Sequence, residues 1–80
     1  MTWLRFDYTA YQTDRVSSIG YREANGKYHL TATLSDGTTS DITGALGLDH
    51  AKRAFESLIE KLEQNLAVID IPQVVSDTKP

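Results

Sequence analysis

The chain has 80 residues, enough for one domain, and a formal net charge of −3. It contains no cysteine, which excludes disulfides and thiolate metal sites. The excess of acidic over basic side chains disfavours nonspecific binding to nucleic acid, which needs a basic stripe. No run approaches the roughly 18 apolar residues of a membrane-spanning helix. Residues 1–14 carry acidic side chains and no apolar core of signal-peptide length. We therefore expect a cytoplasmic protein that does not associate with membranes.

The first predicted strand runs from Trp3 to Tyr11, where apolar and polar side chains alternate. A connection over residues 12–15 would pair this strand with the next one in the antiparallel direction. That register places Phe6 opposite Tyr21 and Tyr8 opposite Ile19. The sequence thus predicts that the first and second strands are neighbours.

Asn25-Gly26 is the strongest hairpin signal, because a type I′ turn needs positive φ at both central residues. A two-residue turn there pairs Tyr21 with Leu30 and Ile19 with Ala32. Both strands then place their apolar side chains on one face, and this agreement favours the register.

Asp36-Gly37 predicts a second hairpin, for which two loop lengths are possible. A two-residue turn would pair Ile42 with Thr31 and place Ile42 on the polar face. A three-residue loop over residues 36–38 would pair Ile42 with Ala32 instead, with Gly37 in a left-handed conformation. We favour the three-residue loop because it keeps Ile42 with the other apolar side chains.

Residues 47–64 form the long helical pattern of the chain, with Gly47 as N-cap and Asn65 as a plausible stop. One apolar stripe follows its length. The members of this stripe are Leu48, Ala51, Phe55, Leu58, Ile59, Leu62 and Leu66. We expect the helix to lie across one face of the sheet.

The remaining segments set the predicted domain limits. Residues 66–71 are compatible with either a last helical turn or a short extended segment, and periodicity does not decide between them. Residues 72–80 have the composition of a flexible tail. The sequence therefore predicts an α+β fold over residues 1–71, in which a four-stranded antiparallel β-meander carries one C-terminal α-helix packed across one face.

No catalytic motif is present, and neither a phosphate-binding glycine loop nor a zinc-spacing pattern occurs. His29 lies within a predicted strand and His50 lies in the first helical turn. Since nothing in the pattern brings these two imidazoles together, we predict no catalytic residue, no metal site and no cofactor, and hence a protein that is not an enzyme.

Five side chains suited to recognition are predicted to share the polar face of the sheet. They are Trp3, Arg5, Tyr11, Arg22 and His29. Aromatic and arginine side chains are enriched at the anchor points of protein interfaces. An open sheet face of this kind could also stack single-stranded bases. A third interpretation is an ordinary solvated face, where threonine is common because of its β-propensity.

A small domain without disulfide or metal gains stability by burying edge strands and leftover apolar side chains in a twofold contact. The predicted contact surface is the end of the helical stripe, Leu62, Leu66 and Ile69, or else an edge strand. We therefore expect a homodimer, alongside an unknown protein partner.

The order of features resembles a loosely defined group of small uncharacterised bacterial and phage proteins. The residues that carry this resemblance are Val16 to Ile19, Asn25-Gly26, Ser35-Asp36-Gly37 and Asp49 to Lys52. The resemblance implies the same sheet-and-helix fold and no catalytic residue. The order is also similar to that of the single-strand-binding transcriptional coactivators, which dimerise through their helices and are rich in lysine along the sheet. This chain has only Lys27 there. The sequence thus favours a non-catalytic protein–protein interaction module, with single-stranded nucleic-acid binding as the alternative.

Overall fold

The computed structural model describes residues 2–6 and 8–80. Within these residues the fold is α+β, with two α-helices and two three-stranded sheets. The strands are β1 (Trp3–Phe6), β2 (Thr9–Gln12), β3 (Val16–Ala24), β4 (Lys27–Leu34), β5 (Thr39–Asp41) and β6 (Val68–Asp70). The helices are α1 (Leu48–Glu63) and α2 (Ile71–Asp77), and a 3₁₀ turn over Thr13–Arg15 joins β2 to β3.

The β3–β4 hairpin confirms the predicted register. Tyr21 pairs with Leu30 and Ile19 pairs with Ala32. The turn residues Asn25 and Gly26 have φ values of 54° and 76°, as a type I′ turn requires. A bulge between Val16 and Ser18 shifts the register near the start of β3.

The β4–β5 hairpin has a three-residue loop, but it lies one residue earlier than predicted. The loop covers residues 35–37, since the Leu34 amide donates to the Thr38 carbonyl at 2.8 Å. Gly37 has the expected positive φ of 91°. Ile42 donates its amide to Leu30 rather than lying opposite Ala32. Because side chains alternate with period two, this shift of two positions leaves Ile42 on the core face, where it is buried.

The N-terminal segment differs most from the predicted four-stranded meander. It is not one strand paired with β3: Phe6 pairs with Thr9, and β1 and β2 form their own antiparallel hairpin. The other side of β1 pairs in parallel with β6, so that Leu4 lies beside Ile69. Residues 66–71 are therefore largely extended rather than a last helical turn, and they complete a second sheet in the order β2-β1-β6.

Helix α1 begins after Gly47 and ends before Gln64, close to the predicted limits. Its most deeply buried side chains are Ala51, Ala54 and Leu58. Asn65 follows the helix with a φ of 56°, a left-handed residue that commonly stops helices. The predicted stripe is thus correct in period, but its centre is rotated towards the small alanine side chains, which allow close packing against the strands.

Residues 72–80 contain most of helix α2, where the sequence predicts a flexible tail. Ile71 and Val74 are both 1% exposed. His50 in the first turn of α1 lies 2.7 Å from the Val75 carbonyl oxygen, and since that oxygen only accepts, His50 Nε2 carries the proton. The core therefore extends beyond residue 71 to include α2. Pro72 is compatible with this helix because proline is tolerated in the first turn.

Candidate interaction surfaces

The five side chains of the predicted binding face do not share one surface. Arg22 and His29 lie on the outer face of the β3-β4-β5 sheet, as cross-strand partners. Trp3 and Arg5 lie on the other sheet, on strand β1. Tyr11 pairs with Leu4, which places it on the opposite face of that sheet from Trp3. There its ring packs 5.4 Å from that of Phe6.

The face of the first sheet that carries Trp3 is open to solvent, and we call it the open face. Its members, from neighbouring pairs of β2, β1 and β6, are Trp3, Arg5, Ala10, Gln12, Val68 and Asp70. The opposite face of this sheet carries Leu4 and Ile69 and forms part of the core. One side of a short sheet thus belongs to the interior, and the other is left to the solvent.

Several large apolar side chains are exposed on and around the open face. Trp3 and Val68 are lateral neighbours and remain 39% and 52% exposed. Leu66 is 37% exposed and lines a groove together with Val68. Tyr8, at the β1–β2 turn, projects fully into solvent. Exposed aromatic and aliphatic side chains that adjoin one another mark interaction sites more often than scattered ones do.

The polar groups of the open face are few and partly paired. Arg5 forms an ion pair with Asp70 at 3.5 Å, with both side chains largely exposed. A pair of this kind contributes little to stability, about 0–1 kcal/mol, so both groups remain available to a partner. Arg15 lines a shallow depression of about 280 Å³ beside Trp3. The open face therefore combines an apolar centre with a polar rim.

The outer face of the second sheet is polar and internally paired. Arg22 donates two hydrogen bonds to Asp41, at 2.8 and 2.6 Å. This guanidinium holds the pKa of the Asp41 carboxyl below its ordinary value. His29 Nδ1 lies 3.2 Å from the Thr43 carbonyl oxygen and 3.9 Å from the Asp41 carboxylate. Since these groups already satisfy one another, this face has the character of a solvated sheet surface.

The two histidines lie on different elements and each has a structural partner, His29 at Thr43 and His50 at Val75. Within residues 2–6 and 8–80, no group of three or more histidine, aspartate and glutamate side chains could hold a metal ion. A cavity of about 320 Å³ lies between α2 and the segment that follows β5, next to Phe6 of β1. Its lining is apolar except for Thr43, Ser76 and Lys79. It contains no pair of groups with the geometry of an acid and a base.

The three residues of the predicted dimer contact, Leu62, Leu66 and Ile69, do not form one surface. Ile69 is 1% exposed, because β6 turns it towards the core beside Leu4, so it is not available for a contact. Leu62 packs against the core but remains partly accessible. Leu66 is exposed and belongs to the surroundings of the open face. The segment after α1 thus folds back along β1 and buries one of the three residues of the predicted contact.

Sequence reasoning did not single out the outer edge of β3. In the described part of the chain, β3 pairs with β4 on one side and with no strand on the other. At nine residues it is the longest strand described. A groove of about 240 Å³ runs beside it, lined by Val16, Ile19, Ile59 and Leu62 among others. Tyr21, on the same edge, is 41% exposed and contacts Phe55 at 5.8 Å between ring centroids.

Comparison with known proteins yields no relative. No protein family, no curated protein and no solved structure matches this chain. Neither of the helices in residues 2–6 and 8–80 has the length and hydrophobicity needed to cross a membrane.

Proposed function

We propose that this protein is a small, non-catalytic protein–protein interaction module that works as a homodimer. The interaction with a protein partner is supported by the open face, where Trp3 and Val68 remain exposed side by side. A tryptophan held on a strand offers a large contact area at little cost in conformational entropy, which is why tryptophan is enriched at interface anchor points.

The charge of the open face favours a protein partner over nucleic acid. Its central basic side chain, Arg5, is paired with Asp70. The chain as a whole carries a net charge of −3, so a phosphate backbone gains little from approaching it. The depression beside Trp3 and Arg15 is the feature that supports the alternative, since a base could stack there against the indole ring.

Self-association is supported by the unpaired edge of β3 and by the small size of the domain. A long exposed edge strand is a template for pairing with another chain. Neither cysteine nor a metal site provides additional stabilisation in the described structure. Burial of that edge in a second copy supplies the additional contacts that a domain of this size lacks.

Trp3 is the only tryptophan in the chain, so intrinsic fluorescence reports directly on the open face. In a titration with single-stranded oligothymidylate at low salt, we expect the emission of Trp3 to stay unchanged. Saturable quenching that weakens steeply as salt rises would contradict the protein-module interpretation and favour nucleic acid.

A capture experiment with two matched lysine variants tests whether the open face binds a protein partner. The immobilised wild-type chain, Val68→Lys and Leu48→Lys are each incubated with an extract of the native host, and the captured proteins are quantified by mass spectrometry. Leu48 is 41% exposed but lies at the start of α1, away from the open face, and is therefore the control. We expect at least one protein to bind the wild type and Leu48→Lys but not Val68→Lys. If no captured protein distinguishes the two lysine variants, the open face is not the recognition surface.

A further inference from the structure

The free edge of β3 presents backbone groups at alternate residues. The Leu30 amide donates a hydrogen bond to Thr43 Oγ1, and the Leu30 carbonyl accepts one from the Ile42 amide. Both bonds lie on the side of β4 that faces away from β3. In an antiparallel pair of strands, the two residues of a non-hydrogen-bonded pair both point their backbone N–H and C=O groups away from the strand opposite. The partner of Leu30 is Tyr21. The N–H and C=O of Tyr21 therefore point to the open edge.

The same alternation extends along the strand. Ile19 and Glu23 are two positions from Tyr21 on either side, so their backbone groups point to the open edge as well. The side chains of Ile19 and Tyr21 lie on the face covered by α1, where both pack against helix residues or line the groove beside the helix. The edge thus offers hydrogen-bonding groups and an apolar strip at the same residues.

We propose that two copies of this chain pair through β3, antiparallel, about a twofold axis that passes beside Gly20. This surface rests on the homodimer proposed above and gives it a location and a register. The result is a continuous six-stranded sheet in which both copies of α1 lie on the same face. A twofold axis perpendicular to the sheet leaves each face of the sheet on the same side in both copies. Since side chains alternate between the faces, an odd-numbered residue must lie opposite an odd-numbered one, and an even-numbered residue opposite an even-numbered one.

Side-chain matching favours Gly20 over Tyr21 and Arg22 as the axial residue. With Gly20 opposite itself, Ile19 lies opposite Tyr21 of the second copy, and each such pair exchanges both of its backbone hydrogen bonds. An axis at Tyr21 would instead place Ile19 opposite Glu23. An axis at Arg22 would place two guanidinium groups opposite each other, which is destabilising.

The helices are complementary in the same arrangement. Helix α1 contacts both β3 and β4 and covers β4 more fully, since Leu30 and Ala32 are buried and Tyr21 is partly exposed. Because strands are spaced by about 4.8 Å, the two copies of α1 would lie roughly 10–14 Å apart, so that long side chains can meet between them. Ile59 is partly exposed on the β3 side of α1, between Lys52 and Glu63 on the same helical face. Antiparallel helices then bring Lys52 of one copy near Glu63 of the other, around an apolar centre.

Gly20 makes the proposal testable without disturbing the monomer. A side chain added there would meet only Thr31 Oγ1, at 3.9 Å, an ordinary contact distance. In the dimer, however, the two copies of residue 20 face each other directly, with Cβ atoms about 5 Å apart. Gly20→Glu should therefore place two like charges at the axis and raise the dissociation constant of the dimer roughly tenfold, and Gly20→Lys should do the same.

Sedimentation equilibrium of the wild type, Gly20→Glu and Gly20→Lys, alone and mixed, measures this directly. We expect a wild-type dimer of the 8.9-kDa chain, weaker association for each variant alone, and recovery in the mixture, where unlike charges meet. Ser18→Glu is the control: on the same face it lies opposite Arg22 of the second copy, so it should not weaken the dimer. Circular dichroism establishes that each variant is folded.

The outcomes separate the surface from the underlying homodimer. A wild-type dimer that neither charge at residue 20 weakens would overturn the Gly20-centred pairing of β3 while leaving self-association intact. Tighter association of Gly20→Glu would overturn the register, since it indicates that residue 20 faces Arg22. A wild type that remains monomeric at tens of micromolar would overturn both the surface and the homodimer.

Discussion

Leu58 allows the packing of α1 to be tested quantitatively. Its side chain is 0% exposed and lies within the core cluster between the helix and the strands. Replacement by alanine removes the equivalent of about three methylene groups, or ~2.4 kcal/mol of transfer free energy. The residual cavity adds to this, so Leu58→Ala should cost about 3–4 kcal/mol. Since an 80-residue domain has a total stability of roughly 4–12 kcal/mol, this is a large fraction.

The matched control is Leu48→Ala, the same chemical change in the same helix. Leu48 is 41% exposed, so much of its surface is in water before the substitution. We expect a cost below about 1 kcal/mol. Urea unfolding followed by circular dichroism gives both values, and thermal unfolding should show a decrease in Tm of roughly 15–25 °C for Leu58→Ala. Equal costs for the two variants would mean that α1 is rotated about its axis relative to the sheets.

Three further outcomes can be measured on the folded chain. Gly26→Val forces a β-branched residue into a φ of 76° and should lower the free energy of unfolding by about 1–2 kcal/mol, measured by urea unfolding. Tyr28 donates a 3.0 Å hydrogen bond to Glu23, which raises the pKa of Tyr28. The stabilisation from this hydrogen bond is present below the ordinary tyrosine pKa and is lost as the pH rises through the raised pKa. The difference in unfolding free energy between the wild type and Tyr28→Phe should therefore vanish at high pH. His50→Ala removes the bond to Val75 and should speed hydrogen exchange of the α2 amides roughly 2–10-fold, since one hydrogen bond contributes about 0.5–1.5 kcal/mol, while the β3–β4 amides should be unaffected.

The parts of the fold that the sequence predicts are those with two independent local signals that agree. The β3–β4 hairpin combines a turn pair that accepts positive φ with two strands whose apolar residues fall on one face. Helix α1 combines a sustained period of three to four residues with Gly47 before it and Asn65 after it. In each case the local conformation determines the element, and tertiary contacts only place it.

The parts that the sequence mispredicts depend on contacts between distant segments. The reversal between Phe6 and Thr9 has no glycine, proline or Asn-Gly pair, and Asp7, which lies in this segment, is outside the described residues. Strand β6 has only three residues, and its extended conformation is stabilised by parallel pairing with β1, more than sixty residues earlier. Helix α2 has seven residues, too few to be stable in isolation, and forms because Ile71 and Val74 are buried.

The candidate surfaces could not be predicted for a related reason. Alternation along a strand indicates which side chains share a face, but it does not indicate which strand lies beside which. The sequence-based topology places the first strand next to β3, which would cover the edge that carries Ile19 and Tyr21. In the structure that strand is divided, and β1 pairs with β6. One change of neighbour therefore produces both features. It places Trp3 and Arg22 on different sheets, and, in the described part of the chain, it leaves the outer edge of β3 without a strand partner.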